Sequence, residues 1–121
     1  MLMLKFCKIE GVVIAELTDE NLRIAQVQDF LNMMGDSGYN NCDRLIIREQ
    51  NLPADFFILQ TGLAGEILQK ISNYSFKLAI IGNFSKYKSK SLQDFIRESN
   101  KGRSVFFVNN MADALNKIIR K

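Results

Sequence analysis

With 121 residues, 47% hydrophobic and 24% charged, the chain is sized for one ordinary core and composed like a globular domain, which excludes a disordered tract or a coiled coil. It contains no histidine, so the commonest general base, triad partner and zinc ligand is missing, and most hydrolase and metalloenzyme designs go with it. The formal net charge of +3 is mild and speaks for solubility rather than for a particular partner.

The opening MLMLKF is apolar, but Lys5 interrupts it, Lys8 and Glu10 follow, and no small-residue cleavage site closes it. It is therefore expected to be a strand rather than a signal peptide. LKFCKIEG and VVIAELT are short β-branched or aromatic runs joined at Glu10-Gly11, the pattern of an antiparallel hairpin. From Asn21, the spacing of Ile24, Val27, Leu31 and Met34, with Phe30 beside them, predicts an amphipathic helix ended by Gly35 and Gly38. DRLIIRE follows, and its continuous Leu45-Ile46-Ile47 run predicts a central strand covered on both faces. Pro53 then breaks the chain and restricts Leu52 to extended geometry.

FFILQTGLAGEIL leads into a helix expected from about Gln60 to Ser72, with Leu63, Ile67, Leu68 and Ile71 on one face. KLAIIGNF is a buried strand. SKSLQDFIRESNKG is a short helix, entered through a capping box of Ser91 and Asp94 and left at Gly102. SVFFVNN is the last strand. Asn110 can cap a final helix whose Met111, Leu115, Ile118 and Ile119 share a face, with Lys117, Arg120 and Lys121 at its negative end.

The order β-β-α-β-α-β-α-β-α predicts an α/β fold with one mixed five-stranded sheet and four helices, the first strand antiparallel and the rest largely parallel, joined by right-handed crossovers. Residues 1–121 form a single domain in this reading, without repeat or linker. Cys7 and Cys42 have neither metal-ligand spacing nor the density of a secreted scaffold and are expected to be reduced. No run approaches bilayer-spanning length. A cytoplasmic location without cofactor or metal is the expectation, and self-association stays open.

Three groups of residues are candidates for function. Thr61 stands at a helix entrance, where its hydroxyl can cap free N–H groups and where an added phosphate would meet the same donors. Gly62 lets a partner backbone approach, and Gly65 is expected to permit close helix-to-sheet packing. A partner surface is expected over Asp55, Phe56, Phe57, Gln60, Thr61, Gly62 and Leu63, although such a phenylalanine pair is more often core and at least one of the two is expected to be. The second group is the segment from Lys86 to Arg103, with six cations against two carboxylates. Its Lys86, Tyr87, Arg97, Lys101 and Arg103 are candidates for an anion pocket. An acidic protein surface is preferred over nucleic acid as its partner, because it holds neither an RNP motif nor a Walker loop. The third is a catalytic cluster drawn from Glu49, Asp55, Glu66, Lys86, Tyr87 and Arg97 at the carboxyl ends of the strands, although no spacing singles out an acid–base pair.

The element order, with a hydroxyl followed by Gly62-Leu63 after the third strand, resembles the STAS fold of bacterial anti-sigma-factor antagonists. Their pattern is roughly Asp-Ser-Ser-Gly-Leu-Gly, and a partner kinase phosphorylates the second serine to release the anti-sigma factor. Leu59 stands at the aspartate, Gln60 at the first serine and Thr61 at the phosphorylated one; the missing acid and a longer connection through Pro53 to Phe57 are departures from the pattern. The resemblance implies a non-enzymatic module that binds a regulatory protein. The chain also resembles, over essentially its whole length, a family of small bacterial proteins known only as a domain of unknown function. Asp55-Phe56-Phe57, Thr61 to Glu66 and Glu98 to Arg103 carry that likeness. It implies no activity. A small ligand-binding protein or enzyme built on an anion pocket is the alternative.

Overall fold

The computed structural model describes residues 4–120, so Met1 to Met3 and Lys121, with the roles expected of them, lie outside the described residues. Strands β1 (Leu4–Ile9) and β2 (Val12–Leu17) form the antiparallel hairpin. Its turn holds Glu10 at φ 52° and Gly11 at φ 80°, the pair of left-handed residues that matches strand twist in a two-residue hairpin. Strands β3 (Arg44–Arg48), β4 (Lys77–Ile81) and β5 (Val105–Val108) then add in parallel, giving the order β1-β2-β3-β4-β5. The helices are α1 (Val27–Tyr39), α2 (Leu63–Asn73), α3 (Lys90–Lys101) and α4 (Met111–Ile118). The expected α/β class, element order and mixed sheet are all observed.

Alternation along the strands builds two cores. Ala15, Leu17, Leu45, Ile47, Leu78, Ile80, Val105 and Phe107 face α1, α2 and α3, where Phe30, Met33, Ile67, Ile71, Leu92 and Ile96 meet them. Ile14, Ile46, Ala79, Phe106 and Val108 point to the other face, where Ala114 and Ile118 of α4 cover them. A period of two, with both faces covered, is why Leu45-Ile46-Ile47 is an unbroken apolar run.

The structure moves several helix ends. Helix α1 begins at Val27 rather than Asn21 because buried Asn51 claims the preceding backbone: its amide donates to Asp19 O (3.0 Å) and Leu22 O (2.9 Å), and Ile24 N donates to Asn51 O (2.7 Å). Asp29 then accepts from Ala25 N and Gln26 N (2.9 and 3.2 Å) and closes the helix start. Gly35 and Gly38 do not stop α1, which runs to Tyr39. Glycine costs roughly 1 kcal/mol against alanine in a helix, less than the burial of Phe30, Met33 and Met34 in this helix supplies. The α3 cap is Ser89, which accepts from Leu92 N (3.2 Å), so the expected Ser91 box is displaced by two residues and Asp94 instead pairs with Lys90 and Arg97. Asn110 caps α4 as expected, accepting from Asp113 N (2.8 Å).

Asn51→Ala should lower unfolding free energy in urea by about 2–3 kcal/mol, because it strands buried backbone groups at both ends of the junction. Ser37, whose buried hydroxyl has no partner among the described residues, should behave oppositely, Ser37→Ala gaining about 0.5–1 kcal/mol in the same titration.

Candidate functional site

At the carboxyl end of β3 the chain makes three 3₁₀ turns, Glu49–Asn51, Ala54–Phe57 and Leu59–Thr61, before entering α2. Gly62, at φ 80°, is the left-handed residue between turn and helix and takes the cap position expected of Thr61. Helix α2 therefore starts at Leu63, not Gln60. Thr61 is an exposed residue, and its hydroxyl proton is shared between Asp55 O (2.7 Å) and Ile58 O (2.9 Å) while its oxygen accepts from Leu63 N (3.3 Å). One hydroxyl thus ties the last two turns to the helix.

Of the residues expected to meet a partner here, Asp55, Gln60, Thr61 and Gly62 are exposed and Leu63 is half-buried. Phe56 and Phe57 are core, 0% and 8% exposed, so no phenylalanine patch exists at this surface. Phe57 stacks on Tyr87 with centroids 4.7 Å apart and meets Phe56 edge-on at 5.0 Å, arrangements that stabilise an aromatic cluster beyond its buried area. The exposed apolar residue is Ile58, at 49%, which lacks the periodic context that would mark it in sequence. Gly65 is exposed and a Cβ there would meet nothing within 4 Å, so it is not needed for helix-to-sheet packing as expected.

The expected catalytic cluster assembles only in part. Glu49, Lys86 and Tyr87 converge: the Glu49 carboxylate accepts from Asn83 N (3.1 Å), from Lys86 Nζ (2.6 Å) and from the Tyr87 hydroxyl. Burial pushes the Glu49 carboxyl up, but the hydrogen bonds from Lys86, Tyr87 and Asn83 outweigh it and hold the group below the usual carboxylate range. Burial, then the hydrogen bond to Glu49 and its charge, drive the Tyr87 phenol well above its ordinary value. Gly82 passes so close that a Cβ there would lie 2.6 Å from the Glu49 Cβ. Together these groups make a clasp between the chain that follows β3 and the chain that follows β4. Asp55 sits in the Ala54–Phe57 turn, Glu66 lies exposed on α2, and Arg97 is engaged by Asp94 on α3.

The expected anion pocket of Lys86, Tyr87, Arg97, Lys101 and Arg103 does not form as one site. Lys86 and Tyr87 follow the carboxyl end of β4, whereas Lys101 and Arg103 precede the amino end of β5, and these strands are parallel. The two halves lie at opposite ends of the sheet. Lys101 and Arg103 instead line a cavity of about 330 Å³ with Lys77, Lys117, Arg120 and Phe106. Among the described residues no three His, Cys, Asp or Glu side chains are grouped to hold a metal, and no helix is long and apolar enough to cross a membrane. Cys42 is buried, its thiol pushed up by that burial, and both cysteines are free thiols.

Residues 9–118 match the family described as a domain of unknown function, DUF4180, and the chain belongs to that family. No curated protein and no solved structure matches.

Glu49→Gln and Tyr87→Phe should each destabilise the fold by about 1–2 kcal/mol in urea. With its folded value depressed, Glu49 contributes stability that is present above its unfolded value of about 4.3 and is lost as pH falls through the lower folded value. The acid limb of stability against pH should accordingly be shallower in Glu49→Gln than in the wild type.

Proposed function

We propose that this protein is a non-enzymatic interaction module of the STAS kind, binding a regulatory protein over the α2 entrance and released by phosphorylation of Thr61. The observation that carries the reading is Thr61, an exposed residue whose hydroxyl proton holds Asp55 O and Ile58 O. A phosphate in its place has no proton to donate to those carbonyls and brings a charge of about −1.5 to −2. It would also face the free N–H groups at the start of α2. The turn would open and the surface formed by Asp55, Ile58, Gln60, Thr61, Gly62, Leu63 and Gly65 would change shape and charge together. Phe56 and Phe57 support that surface from beneath.

The topology favours the same reading. Each of β2 to β5 pairs with its sequence neighbour, so α1 to α3 share one face and the parallel strands have no point where the order reverses. That point is where open α/β sheets form a ligand crevice at their carboxyl ends. The groups gathered there are already joined in the Glu49 clasp.

In pull-downs from the native cytoplasm, wild type should retain one specific partner that Thr61→Glu loses while still folding, with phosphate found at Thr61 by mass spectrometry; Thr61→Ala, which loses the hydroxyl ties but gains no charge, should hold that partner less well than wild type and better than Thr61→Glu. An identical partner profile for all three would sink the proposal. Gly65→Ala should be more stable in thermal unfolding by about 0.5–1 kcal/mol and should hold the partner less well; unchanged retention would remove Gly65 from the interface.

A further inference from the structure

The opposite end of the sheet carries a surface that partner binding at α2 does not use. There the ends of α3 and α4 meet the starts of β4 and β5 around the 330 Å³ cavity lined by Lys77, Lys101, Arg103, Lys117, Arg120 and Phe106. None of the residues lining it is acidic. Among the described residues Lys77, Arg103, Lys117 and Arg120 form no ion pair, and Lys101 reaches Glu98 only at 3.4 Å on an exposed surface. The nearby Asp43 carboxylate is taken by Arg44.

Two helix ends each present about half a negative charge, and part of this is already answered, because Arg44 donates from β3 to Ile118 O (2.7 Å) and Arg120 O (3.1 Å). Five cations exceed what remains. Their crowding acts on Lys77, whose ammonium is pushed below its ordinary value by burial and by Arg44, Arg103 and Arg120, with Asp43 opposing. The fold thus holds mutually repelling charges around a concavity.

We infer that this cavity binds a small soluble ligand through a phosphate-type oxyanion group carrying two or more negative charges, of which a diphosphate is the simplest example. Arg103 and Arg120 offer planar forks suited to phosphate oxygens, and the lysines supply point charges. The volume sits at the small end of ligand pockets, enough for a charged head group. A nucleic acid strand fits less well: the cations converge on one hollow instead of following a groove, and Phe106 is buried beneath Lys117, its ring 5.9 Å from Nζ, so it offers no face for a base.

Calorimetric titration of the full chain at fixed chloride, with inorganic diphosphate, orthophosphate and a single-stranded RNA as separate ligands, tests this. Diphosphate should saturate one site per chain and bind about tenfold or more tighter than orthophosphate. Arg103→Gln and Lys117→Gln, checked for folding by circular dichroism, should each weaken it about tenfold, the scale of one lost charge-assisted contact. Arg97→Gln, outside the cavity, should leave it unchanged. The inference is overturned by no saturable diphosphate binding at millimolar concentration, by equal weakening in Arg97→Gln, or by RNA binding that diphosphate does not displace.

Discussion

Strict pairing of each parallel strand with its sequence neighbour is the constraint from which the rest of this structure follows. A parallel strand must be reached by a crossover, and repeating the same crossover puts α1, α2 and α3 on one face. The other face of β2 to β5 carries Glu16, Arg44, Arg48 and Lys77 around a smaller apolar centre, and that centre is covered by α4, a helix of eight residues. A helix that short is marginal by itself. Packing of Ala114 and Ile118 holds it, together with the Arg44 guanidinium, which reaches from the start of β3 to carbonyls of Ile118 and Arg120. Arg44 therefore joins the sheet to the one helix that completes its second core.

The same constraint sorts chemistry between the two ends of the sheet. Helices that return against parallel strands bring their amino ends to the strands' carboxyl ends, where α2 begins beside the Thr61 turn and the Glu49 clasp. Their carboxyl ends gather at the opposite edge, where cations are favoured by the dipoles. The Thr61 end is tied by neutral hydrogen bonds that a single modification can remove. The other end gathers five cations around one hollow, where burial first, and then Arg44, Arg103 and Arg120, hold the Lys77 ammonium below its ordinary value.

Local pattern made most of the fold legible. Two-residue alternation, the Glu10-Gly11 turn and the Asn110 cap all depend on neighbours in sequence, and the structure keeps them. What was illegible depends on distant partners. Nothing adjacent to Asn51 announces that its amide will fix the residues before α1, and without that knowledge Ile24 reads as helical rather than as a buried loop residue. The stretch from Phe56 to Leu68 has one apolar rhythm, yet it is two 3₁₀ turns and a helix divided at Gly62, because Pro53 and the left-handed glycine interrupt the backbone. The basic segment showed its excess of charge but not its division, since only parallel pairing of β4 and β5 separates Lys86 from Arg103. Lys77, Lys117 and Arg120 belong with Arg103 for the same reason, and spacing along the chain gives no sign of it.

The central claim is that the α2 entrance is a partner surface governed by the Thr61 hydroxyl. A photo-crosslinking residue placed at Gly65 in the intact protein inside its own cells tests it most directly, with a matched probe at Ala112 on the exposed side of α4. The account predicts a discrete adduct with one other protein from position 65, none from position 112, and loss of that adduct when Thr61→Glu is added. Adducts from both positions alike, no adduct from position 65, or an adduct indifferent to Thr61→Glu would contradict it.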